Sequence, residues 1–275
     1  MFQKGVVMAD IRLHKIINAR DFSGLHTTAG ETIRSHAVIR SGSLFKATIK
    51  DEKKLKDLGV NLVIDMRTPQ ERLEKPNQVF EGIEYLFVPL LNDQKAGISR
   101  EAGASIKGMS KASTSRQHFR DMIPNLEELY PAVAQDDATL DQFSVVLKKI
   151  MEWVIEDKGT VLFHCTAGKD RAGIVSMLLL TMLDVPKETI MRDYMRSNRY
   201  SNRESYKYLI LATLFKFDTK LARLAFHVMH AERRYLEALY RYLESEYGSV
   251  LDFIKNRLHI IDEELQAFKA KMLQN

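Results

Sequence analysis

Three short apolar runs predict buried β-strands in the first two thirds of the chain. They occupy residues 61–67, 85–90 and 160–164, with the sequences NLVIDMR, YLFVPL and TVLFH. Unbroken apolar runs of this length are typical of strands that are covered on both faces, as in parallel sheets. The segment 37–40 predicts one further short strand.

Helical periodicity fills most of the remaining sequence. It predicts helices over residues 50–58 and 117–156, a core helix after Gly173, a helix that starts at Pro186, and further helices over about 203–272. Strands that alternate with helices predict an α/β fold with a central, mostly parallel β-sheet flanked by helices. In such sheets ligands bind at the carboxyl ends of the strands.

The composition is that of an ordinary globular protein, with 45% hydrophobic and 28% charged residues in a chain of 275. It excludes a disordered or collagen-like chain and is sufficient for a sizeable core. The formal charge of +5 suits an anionic ligand. Because the chain has no block of like charges typical of a nucleic-acid-binding arm, we expect no nucleic-acid partner.

Cys165 is the only cysteine, so an intrachain disulfide is excluded. The first residues lack the apolar core of a signal peptide. The longest mainly apolar stretch, Ile174–Leu183, is too short to cross a bilayer. As written, the sequence therefore predicts a soluble cytoplasmic protein, or a secreted one if a leader was removed upstream.

The segment that carries chemistry is HCTAGKDRAG, residues 164–173, which follows a predicted strand and opens a predicted helix. Its cysteine and arginine are separated by five residues, the spacing written CX5R. In such a loop the backbone N–H groups point inward at the positive end of a helix and form a nest for phosphate oxygens. The residues that would line the nest are Thr166, Ala167, Gly168 and Lys169.

Cys165 and Arg171 complete this predicted phosphate site. The planar guanidinium of Arg171 can hold two phosphate oxygens, and the positive field of the nest favours the nucleophilic thiolate form of Cys165. A lone cysteine is more commonly a buried, inert thiol. Here the preceding strand and the following helix favour the nucleophile, because they are the context that the motif requires.

The loop resembles the signature of the cysteine-dependent protein tyrosine phosphatase superfamily. The form HCTAGKDR is similar to loops of its bacterial atypical branch, the tyrosine and lipid phosphatases with the pattern HCxAGKDR. The resemblance covers about residues 11–272, except 92–116. The other matching segments are NARDFSG (18–24), IRSG (39–42), LGV (58–60) with DMR (65–67) and Glu71, DY (193–194) with SN (197–198), and YGS (247–249).

This resemblance implies a single phosphatase domain over residues 11–272, preceded by an N-terminal extension at 1–10. It also implies that residues 203–245 form a lid-like helical insertion. The alternative for the apolar stretch Leu209–Phe217 within that insertion is ordinary packing core. The Gly- and Ser-rich residues 92–116 predict a mobile loop.

The resemblance also implies roles for single side chains. Cys165 would attack phosphorus and form a cysteinyl-phosphate, while Arg171 and the loop amides stabilise the transferring phosphoryl group. His164 would orient the loop and belong to the substrate-binding residues. The strand that ends near residue 67 would deliver Asp65 and Arg67 to the same crevice, where we expect Arg67 to contribute to substrate binding.

The general acid has two candidates. The tryptophan–proline–aspartate loop of the superfamily is absent, and in the resembling branch the acid is the aspartate within the loop, here Asp170. A carboxyl group there could protonate the leaving oxygen and later activate water. Asp65 is the alternative, and it could instead orient the loop arginine. Asp136, Asp137 and Asp141 fall in a helical pattern.

Two loop positions bear on specificity and rate. Lys169 would place a second cation beside the nest, similar to loops of inositol-lipid phosphatases, unless it faces solvent as most lysines do. Ala172 stands where most of the superfamily has Ser or Thr, whose hydroxyl would hydrogen-bond the thiolate. We expect its loss to slow turnover without abolishing it.

We therefore expect a protein tyrosine phosphatase that acts on phosphotyrosine proteins. Activity on phosphoserine, phosphothreonine or phosphoinositides, and transient contact with a membrane surface, are further expectations. The alternatives are a non-catalytic phosphate-binding module and a CX5R arsenate reductase that would need an external thiol. Because His and Cys residues lack zinc-ligand spacing, we expect no metal and no cofactor.

Overall fold

This computed structural model describes residues 10–91, 126–200 and 230–274 of the chain. Three predictions concern residues outside these ranges. They are the N-terminal extension, the loop at 92–116, and the part of the lid-like insertion at 203–229 with its apolar stretch. These predictions, and the single-domain boundary drawn from the resemblance, stay predictions.

A five-stranded sheet lies at the centre of the fold. The strands of the described residues are β1 (Arg20–Asp21), β2 (Thr32–Ile33), β3 (Val38–Ser41), β4 (Val60–Asp65), β5 (Glu84–Phe87), β6 (Thr160–His164) and β7 (Leu273–Gln274). The central sheet has the order β1–β3–β6–β4–β5, in which only β1 is antiparallel to its neighbour. β2 and β7 form a separate antiparallel pair.

Helices connect and cover the strands. In the described residues they are α1 (Ile49–Asp57), α2 (Pro69–Glu74), α3 (Leu126–Val133), α4 (Asp137–Ile155), α5 (Asp170–Met182), α6 (Lys187–Arg196), α7 (Arg233–Tyr247), α8 (Val250–Arg257) and α9 (Asp262–Met272). Thr68 caps α2 and Glu71 returns a hydrogen bond to the Thr68 backbone, a capping box that fixes where this helix begins. Within the described ranges, none of the helices combines the length and apolar character needed to cross a bilayer.

The central sheet is buried on both faces. In β6, Val161 and Phe163 belong to the large core that α4 and α5 help to form. Leu162, between them, belongs to a smaller core on the other face, to which α1 contributes Leu55. Successive side chains of a strand point to opposite faces, so the unbroken apolar runs need helices on both sides. The predicted α/β fold with a mostly parallel sheet is confirmed.

Several element boundaries differ from their predictions. The helix predicted over 117–156 is interrupted between Val133 and Asp137. Three other boundaries also differ. β4 ends at Asp65, before the end of the predicted run. β5 ends at Phe87, before Pro89, which has no N–H to donate to a sheet. α5 begins already at Asp170. The end of the CX5R loop is therefore part of the helix, and the positive end of the helix dipole lies at the loop.

Candidate active site

The CX5R loop, residues 165–171, lies where the central strand β6 meets helix α5. β6 is flanked by β3 and β4, so its carboxyl end is in the middle of the sheet edge. Cys165 follows the strand directly and is 2% exposed. Arg171 is in the first turn of α5 and is also buried. The structure thus brings the two key residues of the motif to one strand–helix junction.

The carbonyl oxygens of the loop point away from its centre. The oxygen of Thr166 accepts from the backbone N–H of Ser43 at 3.1 Å. The side-chain nitrogen of Asn18 donates to the carbonyl oxygens of Ala167 at 3.0 Å and Gly168 at 2.8 Å. Because a trans peptide places its N–H opposite its C=O, the N–H groups that follow these carbonyls turn toward the centre. This orientation supports the predicted anion nest.

Gly168 is required by the shape of the loop. Its φ of +68° lies in the left-handed region, and an added Cβ would be 2.5 Å from the carbonyl carbon and oxygen of Ser41. Ser41 is the last residue of β3. The loop backbone therefore packs directly on the neighbouring strand, which only a residue without a side chain permits.

A buried ion cluster supports the outer side of the loop. Nη2 of Arg40 donates to the carbonyl oxygen of Gly168 at 2.8 Å, and its Nη1 donates to Asp193 at 2.6 Å. Nε of Arg20 lies 2.7 Å from the other carboxylate oxygen of Asp193. Burial, followed by the charge of Arg20, lowers the pKa of Arg40 to about 10, against the opposing effect of Asp193. Two cations face one anion here, which favours negative charge in the loop.

Glu71 holds Arg171 in place. Its two carboxylate oxygens lie 2.6 Å and 2.8 Å from Nη1 and Nη2 of Arg171. Burial raises the pKa of Glu71, but the hydrogen bonds and charge of Arg171, with hydrogen bonds from Thr166 and Thr68, lower it to about 2. Burial lowers the pKa of Arg171, whereas Glu71 and then Cys165 raise it above its ordinary value. Arg171 is therefore a fixed cation.

His164 is a neutral side chain that orients the start of the loop. Its Nδ1 lies 3.1 Å from the carbonyl oxygen of Cys165 and must donate to it. Its Nε2 accepts from the side-chain nitrogen of Asn77 at 2.9 Å, and the Asn77 oxygen accepts from the N–H of Leu44. Burial lowers the pKa of His164 although Asp65 opposes it. An uncharged imidazole fits both hydrogen bonds.

Asp65 and Arg67 pair with each other and not with the loop. Nη2 of Arg67 lies 2.7 Å from Oδ2 of Asp65, and its Nη1 donates to the carbonyl oxygen of Lys75 at 2.7 Å. Burial raises the pKa of Asp65, but the hydrogen bonds and the charge of Arg67 oppose burial, and the pKa lies below its ordinary value. The suggestion that Asp65 orients the loop arginine is corrected, because Glu71 does so. Arg67, expected to bind substrate, is fully buried with its donors turned to Asp65 and Lys75.

Asp170 lies between a tyrosine and a lysine. The hydroxyl of Tyr130 donates to its Oδ1 at 2.7 Å, and Nζ of Lys169 is 3.4 Å from the same oxygen. Nζ also donates to the carbonyl oxygen of His230 at 3.3 Å. The alternative of a solvent-facing Lys169 is wrong, because this residue is 3% exposed.

Ala172 is fully buried next to the loop. The hydroxyl that could take over the missing role belongs to Thr166, but it donates to Glu71 and lies 3.3 Å from Nη2 of Arg171. The side chain of Thr166 thus braces the Glu71–Arg171 pair. Thr166 would therefore contribute to the anion nest only through its backbone.

Several residues that hold the loop were missed from the sequence. Three of them lie in segments that carry the family resemblance, which assigned them no role. They are Asn18, Arg40 and Asp193. Asn77 and Tyr130 carried no signal, because they reach the loop across 87 and 40 positions of the chain. Contacts of this kind follow from tertiary packing and leave no local pattern.

This chain is similar to known proteins over most of its length. A protein of Cupriavidus necator that is named putative tyrosine-protein phosphatase is 26% identical, covering 91% of this chain and 85% of that protein. Triple specificity protein phosphatase PtpB of Mycobacterium tuberculosis is 25% identical, covering 87% of this chain and 90% of that protein. The crystal structure of P. aeruginosa TpbA is 15% identical with a TM-score of 0.35, covering 72% and 90% of the two chains.

A family model described as the tyrosine phosphatase family matches residues 11–274. The match includes the whole CX5R loop as well as Asn18, Arg40 and Glu71, whose side chains hold it. The chain therefore belongs to the tyrosine phosphatase family.

Proposed function

We propose that this chain hydrolyses phosphotyrosine in proteins through a cysteinyl-phosphate formed at Cys165. The observation that carries the proposal is a loop whose carbonyl oxygens are bonded on its outer side, with Arg171 fixed by Glu71. A phosphoryl group in this nest would place its oxygens on the loop amides and on Arg171. Its phosphorus would then face the sulfur of Cys165.

In the first step the thiolate of Cys165 attacks phosphorus while the bond from phosphorus to the tyrosyl oxygen breaks. Negative charge spreads over the equatorial oxygens of the transferring group. The loop amides and Arg171 stabilise that charge without reorganising, because they are already oriented. Asp170 gives its proton to the leaving phenolate oxygen.

In the second step a water molecule attacks phosphorus and gives a proton to the carboxylate of Asp170. The bond from phosphorus to sulfur breaks, so the thiolate of Cys165 returns and inorganic phosphate leaves. Asp170 is protonated again and ready for the next substrate. All atoms and charges are thereby balanced within one cycle.

Asp170 suits the role of acid better than Asp65. It is the first residue of α5 and directly follows Lys169 in the CX5R loop, next to the amides that would hold the phosphoryl group. Asp65 accepts hydrogen bonds from Arg67 and Asn77 through both of its oxygens. A carboxylate held ionised in this way has no proton to give at neutral pH.

We further propose that the substrate range includes phosphoserine, phosphothreonine and phosphoinositides. The name of the Mycobacterium tuberculosis relative, a triple specificity phosphatase, supports a broad range. The buried ammonium of Lys169 beside the loop supports a substrate with a second anionic group. A phosphoinositide substrate would also bring the protein into transient contact with a membrane surface.

The experiment that tests the central proposal is Cys165→Ser. This change keeps the loop amides and Arg171 but removes the thiolate, so hydrolysis of phosphotyrosine peptides and of para-nitrophenyl phosphate should fall to background. Binding of inorganic phosphate or vanadate, measured by calorimetry, should persist. Because Cys165 is the only cysteine, iodoacetate should inactivate the wild type at a single site, and phosphate should protect it.

Each alternative outcome would support a different mechanism or function for this protein. Comparable turnover in the wild type and in Cys165→Ser would exclude the covalent mechanism. Phosphate binding without any turnover in the wild type would indicate a non-catalytic phosphate-binding module. Arsenate reduction that depends on an added thiol, in place of phosphate ester hydrolysis, would indicate the arsenate reductase.

A further inference from the structure

The two carboxylate oxygens of Asp170 lie in different surroundings. The hydroxyl of Tyr130 is 2.7 Å from Oδ1, and the ammonium of Lys169 is 3.4 Å from the same oxygen. Among the described residues, both hydrogen-bonding or ionic partners of this carboxylate are on Oδ1, and Oδ2 has none. One oxygen is therefore anchored while the other is available for chemistry.

The anchor extends to a second tyrosine. The hydroxyl oxygens of Tyr130 and Tyr194 are 2.8 Å apart. Because Tyr130 has one hydroxyl proton and directs it to Asp170, the proton between the two hydroxyls must come from Tyr194. Burial, and then the nearby Asp170, raise the pKa of both tyrosines well above their ordinary value, so both stay protonated donors.

Two helices other than α5 supply this chain of hydroxyls. Tyr130 is in α3 and Tyr194 is in α6, and both side chains are almost completely buried. Their rings meet edge to face with centroids 6.3 Å apart. Gly173 leaves room for this arrangement, since a Cβ there would be 3.0 Å from the ring of Tyr194. The direction of the Asp170 carboxyl group is thus fixed by packing outside its own helix.

We propose that Tyr130 and Tyr194 are positioning residues that anchor Oδ1 of Asp170, so that the catalytic proton is carried by Oδ2. This inference rests on the proposed role of Asp170 as general acid. A proton on Oδ1 would meet the donors Tyr130 and Lys169, whereas a proton on Oδ2 meets neither. Fixing the carboxyl plane keeps that proton aimed at the leaving oxygen, and correct orientation is a large part of the catalytic effect of such groups.

The test is Tyr130→Phe, which removes one hydroxyl and keeps the ring. We expect kcat/KM for a phosphotyrosine peptide to fall about three- to tenfold, the loss expected for one hydrogen bond. The loss on para-nitrophenyl phosphate should be smaller, because its leaving group departs more readily without a proton. The inhibition constant of inorganic phosphate should stay unchanged, since the nest is intact.

Two further variants sharpen the test. Tyr194→Phe should give a smaller loss in the same direction, because it acts through Tyr130, and it serves as the test if Tyr130→Phe does not fold. Tyr235→Phe is the matched control. Its ring also packs on Tyr130, with centroids 6.0 Å apart, but its hydroxyl is outside the chain to Asp170. Equal losses on both substrates, or a weakened phosphate inhibition, would assign the tyrosines to loop structure and overturn the inference.

The variant Asp170→Asn distinguishes a failure of this inference from a failure of the proposed function. If Asp170 is the acid, Asp170→Asn lowers phosphotyrosine hydrolysis selectively, and adding Tyr130→Phe to it produces little further loss. A selective loss in Asp170→Asn with none in Tyr130→Phe would overturn the anchoring role while the proposed function stands. Full activity of Asp170→Asn would overturn both the role of Asp170 as acid and the inference built on it.

Discussion

Glu71 and Arg171 form a two-pronged ion pair across 100 positions of the chain, with oxygen–nitrogen distances of 2.6 Å and 2.8 Å. Both side chains are buried. A bidentate pair fixes the plane of the guanidinium as well as its position. The cation of the nest is consequently oriented before a phosphoryl group arrives.

Removal of this partner should weaken both the fold and the site. Glu71→Gln keeps the size of the side chain but leaves Arg171 a buried cation without a counter-charge, a change that typically costs about 3–5 kcal/mol of unfolding free energy. Urea unfolding measures this loss, and the inhibition constant of phosphate should rise in parallel. Glu74→Gln, an exposed carboxylate on the same helix, is the control and should change neither quantity.

The same pair predicts acid sensitivity. The pKa of Glu71 is about 2 in the fold, against an ordinary value of 4.5. A carboxyl group whose pKa is lowered by folding stabilises the fold above its unfolded pKa, and the stabilisation is lost as pH falls from about 4.5 toward 2. Unfolding free energy should therefore decline more steeply in this window for the wild type than for Glu71→Gln. Parallel curves would contradict the assignment.

Asn18 offers a test of the outward-facing carbonyls. Asn18→Ala removes the donor to two loop oxygens, and we expect phosphate to bind about tenfold more weakly or worse, since each hydrogen bond contributes about 0.5–1.5 kcal/mol. Asn18 has a φ of +57°, so alanine adds backbone strain of about 1–2 kcal/mol. Asn18→Gly is the matched variant without that strain. Wild-type phosphate affinity in Asn18→Gly would show that the loop keeps its shape unaided.

Ala172→Thr should speed breakdown of the cysteinyl-phosphate. A hydroxyl there can hydrogen-bond the departing thiolate, and Thr166 is not free to do so because it is bound to Glu71. One hydrogen bond gives an acceleration of about tenfold or less, seen in kcat when breakdown limits the rate. Ala172→Val has the same shape without the hydroxyl. If both variants change kcat alike, packing and not hydrogen bonding is responsible.

Lys169 should matter more for phosphoinositides than for phosphotyrosine. Lys169→Ala removes a cation that a second phosphate group would use, whereas a singly phosphorylated ring does not need it. The ratio of kcat/KM for the two substrates measures this difference. Lys56→Ala, an exposed lysine paired with Glu52, controls for the loss of positive charge alone. An equal loss on both substrates would assign Lys169 to the structure around Asp170.

The sequence was sufficient to predict the parts of the fold and of the site that are formed by residues close together in the chain. The apolar run at 160–164 predicted both ends of β6 correctly, because a polar turn precedes this run and the CX5R loop follows it. The CX5R spacing placed Cys165 and Arg171 together for the same reason. The partner of Arg171 was not predictable, since Asp65 and Glu71 are carboxylates in the same segment and only the capping box of α2 turns Glu71 inward.

The outer supports of the CX5R loop come from the beginning of the chain. Asn18 bonds Gly168 across 150 positions and Arg40 does so across 128. Contacts of such long sequence separation carry a large loop-closure cost during folding. The β6–α5 junction carries the thiol and the arginine, but side chains from the N-terminal segments hold its anion site in shape. Completion of the site is thereby tied to docking of these segments.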